Sequence, residues 1–404
     1  MSCQEGLSQW EETVSTQLPH LSRPQARVLA MWSFAMLFVH KCGMTMVGAW
    51  LARAVGGTQG SWRQRLREWC YDAADKKGEP RAQLEVTSCF GPLLSWILQW
   101  WSLEEKRLAL ALDASPLSDR FTVLCISVVY RGCAIPVAWK LLVAGRKGEW
   151  KPLWINLLEH LRERVPAEWT VIVMADRGLY ARWLYEEIQS LGWHPFLRVN
   201  AGGKARPQGS KQFHWLSTFA PVPGYQWSGR VTCFTEASTR LRCTLLARWD
   251  EGHAEAWLVV TDLEPEQAQV AWYAMRFWIE CGFKDNKRGG WQWHQTKMQR
   301  PERAERYWLV LVVATLWVVS VGGQIEASLP ASSLDELPAT HIARRLAKQE
   351  RRRQRRLSCV SQGLVALSVA VVNGQPVLFG QFVPFDWPTD VTYHTSQASR
   401  GAHP

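Results

Sequence analysis

The chain has 404 residues, enough for two or three domains that each bury a hydrophobic core. Hydrophobic residues make up 47% and charged residues 21%, a balance that excludes an intrinsically disordered chain. The formal net charge of +11 favours a polyanionic partner, which could be nucleic acid or a membrane surface.

The cysteines and the apolar runs indicate the cellular compartment in which the protein is expected. Ten cysteines occur without a CxxC pair, and no secretory signal precedes them, so we expect reduced thiols in a cytoplasmic protein and no zinc site. The longest apolar run, residues 307–321, is too short to span a bilayer and predicts a buried helix. Most of the 25 tryptophans are expected to fill the core.

The N-terminal region, residues 1–104, is predicted to be helical and basic. Helices are predicted at residues 26–39, 46–55 and 61–71, separated by glycine-containing breaks. The last of them carries Arg63, Arg65 and Arg67. Helix, tight turn and basic helix are typical of a DNA-binding domain, but an ordinary helical bundle with a solvated basic face fits the same pattern.

A mixed α/β pattern begins near residue 107 and defines a core at residues 105–322. Strands are predicted at residues 108–113, 121–130, 134–142, 170–175 and 195–199, with helices at 150–165 and 182–191. Three strands followed by alternating helix and strand predict a mixed α/β sheet. Pro136 predicts that the third strand is bulged or lies at an edge.

The second half of this core changes its periodicity again. Short β-type runs among glycines and prolines predict an all-β insertion at about residues 200–255. A buried strand at 256–263, a long helix at 264–287 and an apolar helix at 304–321 follow.

The C-terminal region, residues 323–404, contains a basic run. Residues 341–356 include eight Lys or Arg against one Glu, which predicts either a segment on DNA phosphates or a solvated basic face. The region could contact DNA or mediate dimerisation. Residues 387–404 have the composition of a weakly ordered tail.

Two aspartates directly follow predicted strands. Asp113 ends the run 108–113, and Asp176 follows the strand 170–175. Catalytic and ligand-binding groups gather at the carboxyl ends of strands in open α/β sheets. Aspartates at strand ends also commonly cap turns, so neither residue alone defines a site.

The predicted helix 264–287 carries an unusual polar stripe. At about 100° per residue, Tyr273, Arg276, Glu280 and Lys287 project within an arc of about 60°. A salt bridge between Arg276 and Glu280, four residues apart, would explain one pair and leave the other two side chains without a reason.

Metal-dependent phosphodiester cleavage gives a reason for the whole set. Two Mg²⁺ ions about 3.5–4 Å apart can activate the attacking oxygen and neutralise the leaving oxygen, and Mg²⁺ prefers oxygen ligands. Three carboxylates from two strands and one helix would suit such a site. Arg276 and Lys287 would then meet DNA phosphates, and Tyr273 could donate a hydrogen bond to one.

These motifs resemble those of a known family. The segment Tyr273-x2-Arg276-x3-Glu280-x6-Lys287 is similar to the YREK signature of bacterial insertion-sequence transposases with a DDE catalytic core. Residues 112–113 and 175–178 resemble the blocks that hold the first and second aspartates of that family. The resemblance covers about residues 105–322, over half the chain.

The resemblance implies an RNase-H-like fold in which Asp113, Asp176 and Glu280 are the catalytic metal ligands. It implies two Mg²⁺ ions, with Mn²⁺ as a substitute, and double-stranded DNA as partner, both the terminal inverted repeats and the target. Relatives cleave one strand, form a hairpin and join the element to target DNA, which implies a homodimer in the synaptic complex. Trp249 or Trp257 could stack a flipped base, although core packing is the better explanation for both.

Two other functions remain open on the sequence. One is a nuclease with the same fold that cuts without strand transfer. The other is a non-catalytic DNA-binding protein derived from a transposase, against which the three intact acids argue.

Overall fold

The computed structural model describes residues 3–77, 82–101, 106–145, 150–328 and 357–389, except the side chains of Cys3 and Arg288. The basic run at 341–356 lies outside the described residues, as does all of the predicted tail beyond residue 389.

Helices build the N-terminal region. They are α1 (Cys3–Gln17), α2 (Arg23–Val39), α3 (Met44–Ala54), α4 (Gln59–Trp69) and α5 (Phe90–Leu98). Helix α2 starts after Ser22, whose backbone N–H donates to Gln25 Oε1 at 2.9 Å, and Pro24 occupies its first turn. It ends at His40, which adopts a left-handed conformation. The three predicted helices are confirmed, with shifted ends.

Five strands form the centre of the sheet. They are β1 (Arg107–Leu117), β2 (Phe121–Tyr130), β3 (Cys133–Val143), β4 (Thr170–Ala175) and β5 (His194–Arg198). Their order is β3-β2-β1-β4-β5, antiparallel among the first three and parallel from β1 through β4 to β5. Helices α6 (Lys151–Arg162) and α7 (Arg182–Ser190) make the connections to β4 and β5. The predicted RNase-H-like mixed sheet is confirmed.

Strand β1 is longer than predicted, and the reason matters for the site. Its parallel pairing with β4 stops at Leu112, opposite Ala175. Its antiparallel pairing with β2 continues through Asp113 to Leu117. Asp113 therefore lies inside β1, at the point where the parallel neighbour ends. Pro136 lies on the edge strand β3 beside a register shift, as predicted.

The predicted β insertion extends the same sheet. Its strands are β6 (Lys204–Pro207), β7 (His214–Trp215), β8 (Tyr225–Cys233) and β9 (Leu241–Trp249), and β10 (Trp257–Thr261) follows. Strand β10 pairs antiparallel with both β5 and β9, so ten strands form one continuous sheet. The insertion is thus joined to the core by strand pairing, through a short ladder between β10 and β5.

The prediction of one helix over residues 264–287 was wrong. A 3-10 helix covers Val270–Phe277, α8 covers Trp278–Lys284, and a π-helical turn covers Asp285–Gly289. Residues 264–269 are not helical, and a turn covers residues 265–267. The carbonyl of Asp285 accepts the N–H of Gly290, five residues on, at 2.7 Å, which is the π-helical pattern.

Helix α9 (Pro301–Ala327) runs through the core and is longer than the predicted 304–321. The predicted domain boundary at residue 322 therefore falls inside a helix. By length and hydropathy α9 could cross a membrane, and the bent pair α2–α3 passes the same test. Since 89% of the apolar window of α9 is buried inside the protein, we describe it as a core helix.

Helix α10 (Cys359–Val372) crosses α9 at two glycines. A Cβ on Gly363 would lie 2.0 Å from the carbonyl oxygen of Val318, and one on Gly322 would lie 1.9 Å from that of Cys359. Only glycine permits so close an approach of two helix backbones.

Tryptophans fill this core, as predicted. The fully buried ones are Trp10, Trp32, Trp139, Trp291, Trp293, Trp308 and Trp317. Trp10 of α1 stacks on Trp317 of α9 with ring centroids 4.0 Å apart, so the N-terminal helices and α9 share one core.

Candidate active site

Three carboxylates meet at one edge of the sheet. Asp113 lies in β1 where its pairing with β4 ends, and Asp176 directly follows β4. Because β1 and β4 are parallel, their carboxyl ends lie side by side. Glu280 projects from α8, which contacts β1, β2 and β3.

Arg276 stands between these carboxylates. Its Nη2 lies 3.3 Å from Asp113 Oδ1 and 3.5 Å from Asp176 Oδ2, and its Nη1 lies 2.5 Å from Glu280 Oε1. Its side chain is only 11% exposed. Burial alone would lower the pKa of Arg276, but the surrounding negative groups outweigh burial and raise it. The guanidinium therefore remains charged and holds the three acids together.

The acids nevertheless carry more charge than Arg276 neutralises. Three carboxylates against one guanidinium leave two formal negative charges in excess. Burial raises the pKa of Asp113, Arg276 opposes that shift, and the charges of Asp176 and Glu280 add to it. The cluster is thus a concentration of negative charge in which Asp113 is mostly buried and Asp176 and Glu280 are partly exposed.

The turn after β4 fixes Asp176. Its Oδ1 accepts the backbone N–H groups of Gly178 at 2.9 Å and Leu179 at 3.1 Å. These bonds hold one carboxylate oxygen and leave the other directed at Arg276.

A cleft of about 680 Å³ opens beside the cluster. Its lining residues are Asp113, Ser115, Pro116, Ser118, Glu280, Phe283, Lys284, Lys287, Trp293 and His294. Lys287 Nζ donates to Ser115 Oγ at 2.8 Å, and His294 Nδ1 donates to the carbonyl oxygen of Lys287 at 2.6 Å. The cleft therefore places a cation and two further hydrogen-bonding side chains beside the acids.

Two of these residues were missed by sequence reasoning. Ser115 lies two residues after Asp113 in β1 and so points to the same face, a signal that the sequence does contain. His294 comes from the connection to α9, and only the fold brings it to the cleft.

Tyr273 takes a buried position beneath the cluster. Its hydroxyl donates to the carbonyl oxygen of Ala175 at 3.4 Å. Its ring makes an edge-to-face contact with Trp257, with the ring centroids 5.5 Å apart. Burial raises the pKa of its phenol above the ordinary value. A contact between Tyr273 and DNA stays a prediction, and it requires this side chain to leave its place.

The two tryptophans of interest differ in their surroundings. Trp249 donates its indole N–H to the carbonyl oxygen of His253 at 3.0 Å. Trp257 packs between His253 and Tyr273, directly behind the cluster. Base stacking by either one stays a prediction.

The carboxylates suit a divalent cation by chemistry but not in their present arrangement. Within the described ranges, no three His, Cys, Asp or Glu side chains are placed to hold one metal ion. Arg276 occupies the space between the acids. Carboxylate oxygens are the ligands that Mg²⁺ prefers, and the excess negative charge favours a cation. The donor set therefore fits a divalent metal once the guanidinium moves aside.

Comparison with known proteins bears on the family of this mixed α/β core. Residues 122–317 match the family model described as "Transposase DDE domain". The chain therefore carries a transposase DDE domain. The matched range contains Asp176 and Glu280, whereas Asp113 lies nine residues before it (122 − 113). Enzymes of this family cut and transfer DNA and generally use divalent metals.

Curated protein sequences contain no match to this chain. Among solved structures, the chain is similar to one described as "Cryo-EM structure of piggyBac transposase synaptic complex with hairpin DNA (SNHP)". The identity is 10% and the TM-score 0.42, over 88% of this chain and 77% of that one.

Proposed function

We propose that this transposase excises and inserts a bacterial insertion sequence by a cut-and-paste route, with Asp113, Asp176 and Glu280 as its catalytic residues. The observation that carries the proposal is their convergence on one guanidinium where the pairing of β1 with β4 ends. No ordinary packing role requires three acids at that edge.

We propose that two Mg²⁺ ions, replaceable by Mn²⁺, bind these carboxylates. Such ions stabilise the charge on the attacking and leaving oxygens of a phosphodiester. Asp113 and Asp176 would hold them from the sheet, and Glu280 from α8. Asp176 is oriented for this role by the two backbone N–H groups that fix its other oxygen.

The cations of the site would then position DNA. Arg276, released from the acids, and Lys287, at the wall of the cleft, would contact phosphates, since both carry charge next to the place where the backbone must pass. Tyr273 would join them after its hydroxyl leaves the carbonyl oxygen of Ala175.

The proposed partners are duplex DNA, as element ends and as target, and a second copy of the chain. Joining two ends requires two active sites, which a homodimer supplies. We propose three regions: DNA-binding helices at 1–104, the catalytic core at 105–322, and a basic segment at 323–404 for DNA contact or dimerisation. The protein would act in the cytoplasm on the nucleoid.

Single isosteric substitutions test the catalytic residues. Asp113→Asn, Asp176→Asn and Glu280→Gln should each reduce cleavage of labelled duplexes, made from the DNA that flanks the gene, by more than about 10³-fold in MgCl₂. Binding of the same duplexes should persist. Asp119→Asn is the matched control. Asp119 is 91% exposed at the turn between β1 and β2, so this variant should cleave the duplexes at the wild-type rate.

The products separate the possible functions. Nicks, hairpins and strand-transfer products from the wild-type chain support the proposal. Nicks without hairpins or transfer indicate a nuclease, and binding without any cleavage indicates a non-catalytic DNA-binding protein. Normal cleavage by any of the three acid variants would overturn the assignment of that residue.

A further inference from the structure

A second concave surface lies next to the catalytic cleft. It is a groove of about 550 Å³ between α3, α4, the segment Gln292–Met298 and the start of α9. Two hydrogen bonds hold the walls of this groove in place. The N–H of Cys42 donates to the carbonyl oxygen of Trp291 at 2.9 Å, and Arg120 donates to the carbonyl oxygen of Met298 at 2.7 Å. We call this surface the basic groove.

Its lining carries charge of one sign. The cations are Lys41, Arg63, Arg67, Lys297 and Arg303, and none of the described residues that line the groove is an acid. Arg303 pairs with Asp75 at 2.6 Å. In the parts of the chain that the structure describes, the other four cations have no salt bridge to a carboxylate. Cations that converge on a concave surface produce a strong local positive potential, which attracts an anionic ligand.

Polar atoms in the groove also lack partners. Gln292 Oε1, Thr296 Oγ1 and Arg303 Nε are buried, and each is without a hydrogen-bond partner among the described residues. Buried polar atoms in folded proteins are normally satisfied, so unsatisfied ones at a concave surface indicate a missing ligand or water. Gln292 also adopts a left-handed backbone conformation, which non-glycine residues rarely take.

One short segment forms a wall of both the groove and the cleft. Trp293 and His294 line the catalytic cleft, whereas Gln292, Gln295 and Thr296 line the groove. Adjacent Cα atoms are about 3.8 Å apart, so the two surfaces lie within a few nucleotides of each other along a DNA strand. A DNA molecule with a phosphate at the carboxylates would therefore pass next to the groove.

We propose that the basic groove binds the phosphate backbone of duplex DNA beside the cleavage position. The inference rests on the proposed function for the nature of the ligand, and on the groove alone for the site. Arg63 and Arg67 bind phosphates from α4, Lys41 and Lys297 from the two flanking loops, and the Thr296 hydroxyl donates a hydrogen bond to a phosphate oxygen. These contacts hold the duplex in register and read no base sequence.

The alternative is a basic face that only water solvates. A solvated face needs neither concavity nor buried polar atoms without partners. It would also treat all exposed arginines of α3 and α4 alike, and that difference can be tested.

The test compares two pairs of arginines that carry the same charge. Arg63→Gln/Arg67→Gln removes two cations from the groove. Arg53→Gln/Arg65→Gln removes two exposed cations outside the groove, one from α3 and one from α4, where Arg65 lies over the ring of Trp62. Binding to a labelled duplex of arbitrary sequence is measured by fluorescence anisotropy between about 50 and 200 mM KCl.

The groove variant should bind about tenfold more weakly at the lower salt concentration. The slope of the logarithm of its association constant against the logarithm of the salt concentration should be smaller in magnitude by about 1.8, because two phosphate contacts are lost. The control pair should change this slope by less than half as much. Equal slopes for the two double variants, or an unchanged slope for the groove variant, would overturn the proposal. Circular dichroism and melting temperature confirm that both variants are folded.

Thr296→Val gives a second measurement that leaves the net charge unchanged. It removes the hydroxyl from the groove with almost no change in volume and should weaken duplex binding about three- to tenfold, with the salt slope retained. Unchanged affinity would remove Thr296 from the proposed contacts.

The two proposals fail separately. If Asp176→Asn still cleaves DNA while the groove variant binds weakly, the catalytic assignment is wrong and the groove stands. If Asp176→Asn binds duplex and does not cleave, while both arginine pairs behave alike, the groove is wrong and the catalytic assignment stands.

Discussion

The catalytic cleft and the basic groove share a wall but treat charge in opposite ways. In the cleft, three carboxylates surround one guanidinium, which neutralises only part of their negative charge. In the groove, four cations have no carboxylate partner among the described residues, and buried polar atoms await a ligand. The comparison suggests that the groove is ready for DNA, whereas the cleft must exchange its internal cation before it can work.

The largest expected effect comes from removing that internal cation. Arg276→Gln leaves three neighbouring acids without compensation, and breaking a mostly buried ion pair should lower the free energy of unfolding by about 3 kcal/mol. Urea denaturation at pH 7.5 in EDTA measures the loss. MgCl₂ should then restore more stability to the variant than to the wild type, because a cation that binds only the folded chain stabilises it.

A surface pair provides the control. Arg177→Gln breaks a bridge to Glu255 in which both side chains are about half exposed, and it should cost less than about 1 kcal/mol. Equal stability of Arg276→Gln and wild type in EDTA would mean that Arg276 does not hold the acids together.

A smaller effect should come from Asp285, an acid near the cleft with no such partner. Burial raises the pKa of Asp285 to about 6, and the nearby Lys284 only partly opposes it. The folded state therefore holds this proton more tightly than the unfolded chain. The destabilisation is absent below pH 3.8, develops as pH rises to about 6, and is constant above that.

Asp285→Asn should accordingly raise the free energy of unfolding by about 2 kcal/mol above pH 7 and leave it unchanged near pH 3.5. Denaturation midpoints across this pH range measure the difference. A gain that is the same at every pH would show that protonation of Asp285 is not the cause.

The smallest effect concerns the helix that carries the groove arginines. Thr58 Oγ1 accepts the N–H of Ser61 at 3.1 Å and caps α4. Thr58→Ala should lower the free energy of unfolding by about 1 kcal/mol, and Thr58→Ser should retain most of it. The salt slope of DNA binding should not change, since no phosphate contact is lost. A change in slope would show that the cap itself contributes to the groove.

The sequence predicted elements with local signals well. Strands β2 and β4 have the predicted ends, because each is a continuous apolar run bounded by turn residues. The union of insertion and core in one sheet depends on β10 pairing with β5, a contact between residues far apart in the chain. Hydrophobic periodicity carries no information about such pairings.

In the site, too, local contacts could be inferred from the sequence and long-range contacts could not. The spacing of Arg276 and Glu280 allowed an ion pair as the alternative to a catalytic role, and the structure contains that pair. That the same guanidinium also reaches Asp113 and Asp176 follows from the sheet order and could not be inferred from spacing. The helix carrying them was misread because periodicity does not distinguish α-helix from 3-10 or π geometry.

The continuous sheet also determines which catalytic groups can move. Strand β10 pairs with both β5 and β9, so strand pairing joins the far strands to β4 and β1, and we expect the two aspartates to keep their positions. Arg276 and Glu280 instead lie where three helical geometries succeed one another within twenty residues. Rearrangement upon loading with substrate should therefore take place in that segment, by rewinding of its turns, while the strands keep their positions.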